Sequence, residues 1–141
     1  MRWLGLDLGE KRIGIALSDP LEITAQAHSF RTRSTLKEDL DFFKRYITEN
    51  QVDGIVIGLP VNMNGTQGPG AEKARIFGTE LQKVTGKEPV YWDERLSTAA
   101  ALQVLIAADV SRSRRREKVD KLAAVIILQN FLDARHRMNN G

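Results

Sequence analysis

LDLGEKRIGIALSD, Leu6 to Asp19, sets two apolar, β-branched segments on either side of Gly9-Glu10-Lys11. The segments "RWLGLDL" and "RIGIALS" read as strands, and the break between them is short enough for a hairpin. Asp7 lies inside the first of them. A buried carboxylate without a partner is expensive, so Asp7 needs either a cation or a place facing water at a strand end. "ITAQAHSF", Ile23 to Phe30, follows Asp19-Pro20 and reads as a third strand, giving three successive antiparallel strands.

Beyond this sheet start the period changes. Apolar residues at Leu36, Leu40, Phe43 and Ile47 predict an amphipathic helix, and Thr35 with Glu38 has capping-box spacing at its start. "DGIVIGL", Asp53 to Leu59, is a near-continuous apolar run typical of a strand covered on both faces. After the loop "PVNMNGTQGPG", helical spacing returns at Ala74, Phe77, Leu81 and Val84, with Gly86 placed to end the helix. "EPVYWDE" reads as a short aromatic strand, and Ser97 as the cap of a helix over "TAAALQVLIAAD". That helix breaks into the charged stretch "SRSRRREK", and a last helix runs from about Val119 to Arg135, followed by a frayed tail. The order βββ-α-β-α-β-α-α predicts an α/β fold with a mixed five-stranded sheet, three antiparallel strands then parallel ones, flanked by helices.

The 141 residues are read as one domain. Cysteine is absent and the two histidines, His28 and His136, lie far apart, so oxygen ligands are expected for any metal. "MRWLGLDLGEKR" lacks the apolar core of a secretory leader, and "LAAVIIL", Leu122 to Leu128, is too short to span a bilayer. These features predict a cytoplasmic protein without a membrane partner. A net charge of +3 permits a nucleic-acid partner. Trp3, Phe43, Phe77 and Phe131 are expected in the core, and His28 as a hydrogen-bonded structural residue.

In folds of this class ligands gather at the carboxyl ends of strands, which directs attention to acids placed there. Asp7 is in the first strand, Asp93 and Glu94 end the last, and Asp120 opens the final helix. Asp120 shares a helical face with Ala124, Ile127 and Phe131. The plainer account of Asp120 is an acid complementing a helix dipole in its first turn. Either Asp93 or Glu94 could be the one that turns inward. Two unit charges roughly 4 Å apart near a protein surface repel by about 4 kcal/mol, so converging carboxylates require a cation between them. Carboxylate oxygens select Mg2+ or Mn2+, and a pair of such ions suits in-line displacement at phosphorus. Lys11, Arg12 and Arg95 would then offer charge to a substrate phosphate. Asn62, Asn64 and Thr66 belong to a substrate-contacting loop rather than a phosphate loop, because no Gly-Lys-Ser/Thr follows and Pro69 lacks an amide donor. Arg114, Arg115 and Arg116 form the centre of a basic run that would hold phosphates without reading sequence.

Four blocks, "LGLDLGEKRIGIALSD", "VIGLPVNMNGTQGPG", "DERLST" and "KVDKLAAVIILQNFL", resemble the motifs of the YqgF/RuvX family and run essentially end to end along the chain. The resemblance implies a ribonuclease H-like fold, dependence on divalent metal, and nuclease activity. It implies an acidic triad of Asp7, Glu94 and Asp120 as catalytic and metal-binding residues. It also implies a role at the 5′ end of pre-16S rRNA, on ribosomal precursor particles, or in resolving Holliday junctions. "RRREKVD" departs from the family, which more often has glycine in that basic segment. Two other readings compete: a non-catalytic nucleic-acid-binding assembly factor, and an actin-like nucleotide-binding fold, whose phosphate hairpin resembles "GLDLGEKRIGIAL". The chain could work as a monomer or a homodimer.

Overall fold

Gly9 N donates to Arg12 O at 2.9 Å, closing the expected hairpin between β1 (Trp3–Leu8) and β2 (Arg12–Ser18). The computed structural model describes residues 1–60, 68–93 and 112–140, with the side chains of 122–138 in the last helix. β3 (Ala25–Thr32) pairs antiparallel with β2 and starts two residues later than the sequence suggests. The reason is local: Asp19 Oδ1 accepts from the amides of Ile23 and Thr24 at 2.7 and 3.0 Å, so both belong to the turn. Those amides, Thr24's foremost, hold the Asp19 carboxyl below its ordinary range.

β4 (Gly54–Leu59) pairs parallel with β1, and β5 (Val90–Asp93) parallel with β4. The sheet order is β3-β2-β1-β4-β5, the mixed five-stranded arrangement predicted. Helices α1 (Leu36–Glu49) and α2 (Pro69–Thr85) cover one face, and α3 (Arg112–Asn140) covers the other. Strand alternation assigns the faces. Leu4, Leu6, Ile55, Ile57 and Tyr91 meet Phe43 and Phe77, whereas Trp3, Ala16, Val56 and Trp92 meet Leu128 and Phe131. The four expected core aromatics are all buried.

The helix signals act as read. Thr35 accepts from Glu38 N at 3.2 Å at the start of α1, and Gly86, at φ 73°, ends α2 in the left-handed conformation glycine tolerates. His28 Nδ1 bonds the Tyr46 hydroxyl, the structural role expected. Burial raises the Tyr46 phenol to about 12.

The last helix corrects the sequence reading at both ends. "RSRRREK" is helical from Arg112 on rather than a break, because Arg, Lys and Glu are strong helix formers and no Gly or Pro interrupts them. Nor does the helix fray at Arg135. Arg135 Nε lies 3.3 Å from Glu22 Oε1, and His136 Nε2 donates to Glu22 O at 2.5 Å, fastening these turns to the β2–β3 connection. Trp3 Nε1 donates to the same Glu22 carboxylate and, with Arg135, lowers its pKa. The helix expected over 98–109, with its Ser97 cap, lies outside the described residues. Among the described residues no helix is long and apolar enough to cross a membrane.

Candidate active site

Asp7 is the penultimate residue of β1 and shares a face with Trp3 and Gly5, the face covered by α3. Its cross-strand partner in β2 is Gly14. On the other side, β1 and β4 are in parallel register up to Leu6 and Ile57, so the next residue of β4, Gly58, is level with Asp7. The half-buried carboxylate therefore rises between two residues that have no side chain. Asp7 thus stands at a strand's carboxyl end, where ligands of such sheets gather, with no side chain beside it on the adjacent level of β2 or β4.

The path of α3 supplies the wall. The Phe131 ring meets Trp3 with centroids 4.7 Å apart, and Leu128 with Ala124 lies over Gly5, where an added Cβ would come 2.8 Å from Leu128 Cβ. Going down the helix thus corresponds to going up β1. From Ala124 back to Asp120 is four residues, a rise of about 6 Å. From Gly5 to Asp7 is two strand residues, about 6.6 Å. The helical turn of Asp120 is therefore level with Asp7. Asp120 is the ninth residue of α3, and the first turn of that helix carries no acid. The helix-dipole account of Asp120 consequently fails, since that effect fades within the first turn.

Asp93, level with Leu59 at the end of β5, belongs to the face of Tyr91, α1 and α2. That is the face opposite Asp7. Glu94 lies outside the described residues, as do Arg95 and Asn62. Among the described residues no group of three or more acids or histidines is arranged to hold a metal. Arg12 follows the alternation of Gly14 and so is on Asp7's face, with its guanidinium 5.8 Å from the Phe30 ring centroid. Lys11 is exposed in the turn. Arg114, Arg115 and Arg116 are in the first turns of α3, upstream of Asp120 on the approach to the carboxyl end of β1. Sequence reading missed the two glycines, although register arithmetic on "RIGIALS" and "GIVIGL" would have found them once the strands were paired.

The profile of the family described as "RuvX: Holliday junction resolvase" matches residues 1–134. Relatives named "Putative pre-16S rRNA nuclease" match along almost the whole chain. One, from Syntrophomonas wolfei, is 56% identical over 134 residues, covering 94% of this chain and 94% of its own. Another, from Carboxydothermus hydrogenoformans, is 51% identical over 133 residues, covering 94% of this chain and 96% of its own. Among solved structures, RuvC of T. thermophilus in complex with a Holliday junction substrate superposes with TM-score 0.63 at 12% identity, over 97% of this chain and 96% of that one. The fowlpox virus Holliday junction resolvase gives 0.54 at 16%, over 95% and 99%. At such identities these two establish the ribonuclease H-like fold alone. A profile matched from the first residue to residue 134, and relatives sharing more than half of the aligned positions, place the chain in the RuvX Holliday junction resolvase family.

Proposed function

We propose that the protein is a nuclease that hydrolyses phosphodiester bonds with the help of divalent metal, and that it matures the 5′ end of pre-16S rRNA in the cytoplasm. The observation that carries the reading is Asp7 on a glycine floor, with the turn of Asp120 level above it. Asp7 is a half-buried carboxylate at the carboxyl end of a central strand, the place where ligands gather in sheets of this class. The substrate is argued from the names of relatives that match almost all of the chain. One domain of residues 1–141 carries the activity.

The donor chemistry fits hard cations. Asp7, Glu94 and Asp120 offer oxygen only, and no cysteine competes for a softer metal. These three would hold two ions, Mg2+ or Mn2+, which when bound supply Lewis-acid activation of water and charge neutralisation at phosphorus. The chain's own residues do the rest. Arg12, on the Asp7 face, and Lys11, at its rim, attract the phosphate backbone, and Arg95 and Asn62 extend the contact. Arg114, Arg115 and Arg116 add a charged approach along α3. All of these bind phosphate or sugar and none reads a base, so recognition rests on backbone and shape. The alternation that sends Asp93 to the opposite face supports Glu94 as the second acid.

The family description favours a second substrate, the four-way DNA junction. A panel of end-labelled pre-16S 5′-end RNA, single-stranded DNA and a four-way junction, each with Mg2+ or Mn2+, tests both. Preferential cleavage of the RNA is expected. Cleavage confined to the junction selects the resolvase reading. Binding without cleavage of any substrate selects the assembly-factor reading, and nucleotide binding alone the actin-like one.

A further inference from the structure

A second opening lies on the other side of the β1 end. A cleft of about 530 Å³ is bounded by Leu8 to Glu10 of the hairpin, Pro60 after β4, Pro69 and Gly70 opening α2, and two cations, Arg33 and Lys73. Leu8 packs with the core of α1 and α2, so this cleft begins one residue beyond Asp7 and on the opposite face of the sheet. We propose that it binds a backbone phosphate of the nucleic-acid strand flanking the bond cut at Asp7, which makes Arg33 and Lys73 substrate-positioning residues.

Arg33 is held rather than loose. Its Nη1 donates to Gly9 O at 2.9 Å, and its backbone amide donates to Lys11 O at 2.8 Å. The guanidinium is thereby fixed against the same turn that follows Asp7. A planar group with five N–H donors keeps others for a phosphate when one is committed to a carbonyl. Lys73 stands across the cleft as a point charge on a flexible stem, suited to an anion of variable position. The wall between them is stiff: Pro60 and Pro69 are ring-locked, and a Cβ on Gly70 would come 3.1 Å from Pro60 Cγ. Among the described residues Glu10 is the one acid on the lining, so they give the cleft a net positive charge. Two cations on a cleft whose described wall is largely proline and glycine suit a phosphodiester, held without reading sequence. A strand crossing the sheet edge from Asp7 would enter here.

The proposal rests on the nuclease reading, and the experiment separates the two. The affinity of full-length protein for an end-labelled single-stranded RNA is measured without divalent metal, between about 50 and 200 mM salt. Lys73→Glu is expected to weaken binding roughly two- to fivefold at the lower salt and to reduce the salt slope by about one. Glu10→Gln is expected to tighten it, and Arg33→Lys, which keeps the charge, to retain most of it. Lys44→Glu on the outer surface of α1 makes the same change in net charge and should leave affinity unchanged. In the cleavage assay Lys73→Glu should raise KM and leave kcat alone. A neutral methylphosphonate at one linkage beside the cleavage point should abolish the difference between Lys73→Glu and wild type. If Lys73→Glu and Glu10→Gln bind like wild type, or Lys44→Glu weakens binding as much as Lys73→Glu, the cleft is no phosphate subsite. The nuclease reading then still stands, provided Asp7→Asn abolishes cleavage. If the wild-type protein neither binds nor cuts RNA or DNA, both fall together.

Discussion

Asp7 and Asp93 are both acids near the carboxyl end of a strand, yet the pleat gives them opposite faces. That difference makes the choice between Asp93 and Glu94 testable one residue at a time. Asp93→Asn should keep cleavage within a few-fold of wild type, whereas Glu94→Gln should reduce it by at least about a hundredfold, measured in single-turnover assays. The reverse result would move the second ligand to the other face. Tyr46 gives a second residue-scale expectation. Its phenol rises from 10.0 to about 12 on burial, so the fold favours the neutral form. The stabilisation is complete below about pH 10 and is lost as pH climbs toward 12. Tyr46→Phe should therefore flatten the fall of Tm over that interval. The acids themselves were legible in the sequence because a carboxylate in an apolar strand stands out. Asp39 was not. It is buried, with Arg31 Nε 3.0 Å from its Oδ1, but in the sequence it looks like any acid in a first helical turn.

At the scale of elements, α3 determines whether Asp7 and Asp120 share a level. Its approach depends on Gly5, where there is no room for a methyl group against Leu128. Gly5→Ala should cost about 1–3 kcal/mol of stability by urea titration, the usual range for overpacking. It should also lower cleavage more than RNA affinity, because it displaces the Asp120 turn while Lys11, Arg12, Arg33 and Lys73, which are not on α3, keep their places. The start of this helix was misread because charge runs look like loops, although their helix propensity is high. Its end was misread because Glu22, which ties down Arg135 and His136, lies more than a hundred residues away in the chain. Glu22→Ala should lower Tm at neutral pH. Since the Glu22 carboxyl is held below its usual pKa, the wild-type advantage should shrink as pH falls below about 4.5, where the unfolded chain takes up a proton before the folded protein does.

For the molecule as a whole, the succession of elements and the mixed sheet followed from patterning, whereas the strand order β3-β2-β1-β4-β5 did not. The near-continuous apolar run Asp53–Leu59 marked a strand covered on both faces, and the short Gly9-Glu10-Lys11 break between two apolar segments marked the hairpin. Face assignment around Asp7 did not follow, because it depends on the registers of three strands at once. The distribution of cations also has a whole-molecule consequence. Lys11, Arg12, Arg33, Lys73 and the arginines of α3 all belong to the carboxyl end of the sheet or its approach, so RNA affinity should fall steeply with salt. A flat response between low and moderate salt would contradict that arrangement.

The most direct test is cleavage of end-labelled pre-16S 5′-end RNA by wild-type and Asp7→Asn protein, with Mn2+ and with chelator. Wild-type protein should cut the RNA and stop on chelation, and Asp7→Asn protein should bind the RNA with unchanged affinity but cut it at least about a hundredfold more slowly. Equal cutting by Asp7→Asn, or cutting that persists in chelator, would contradict metal-dependent cleavage at Asp7.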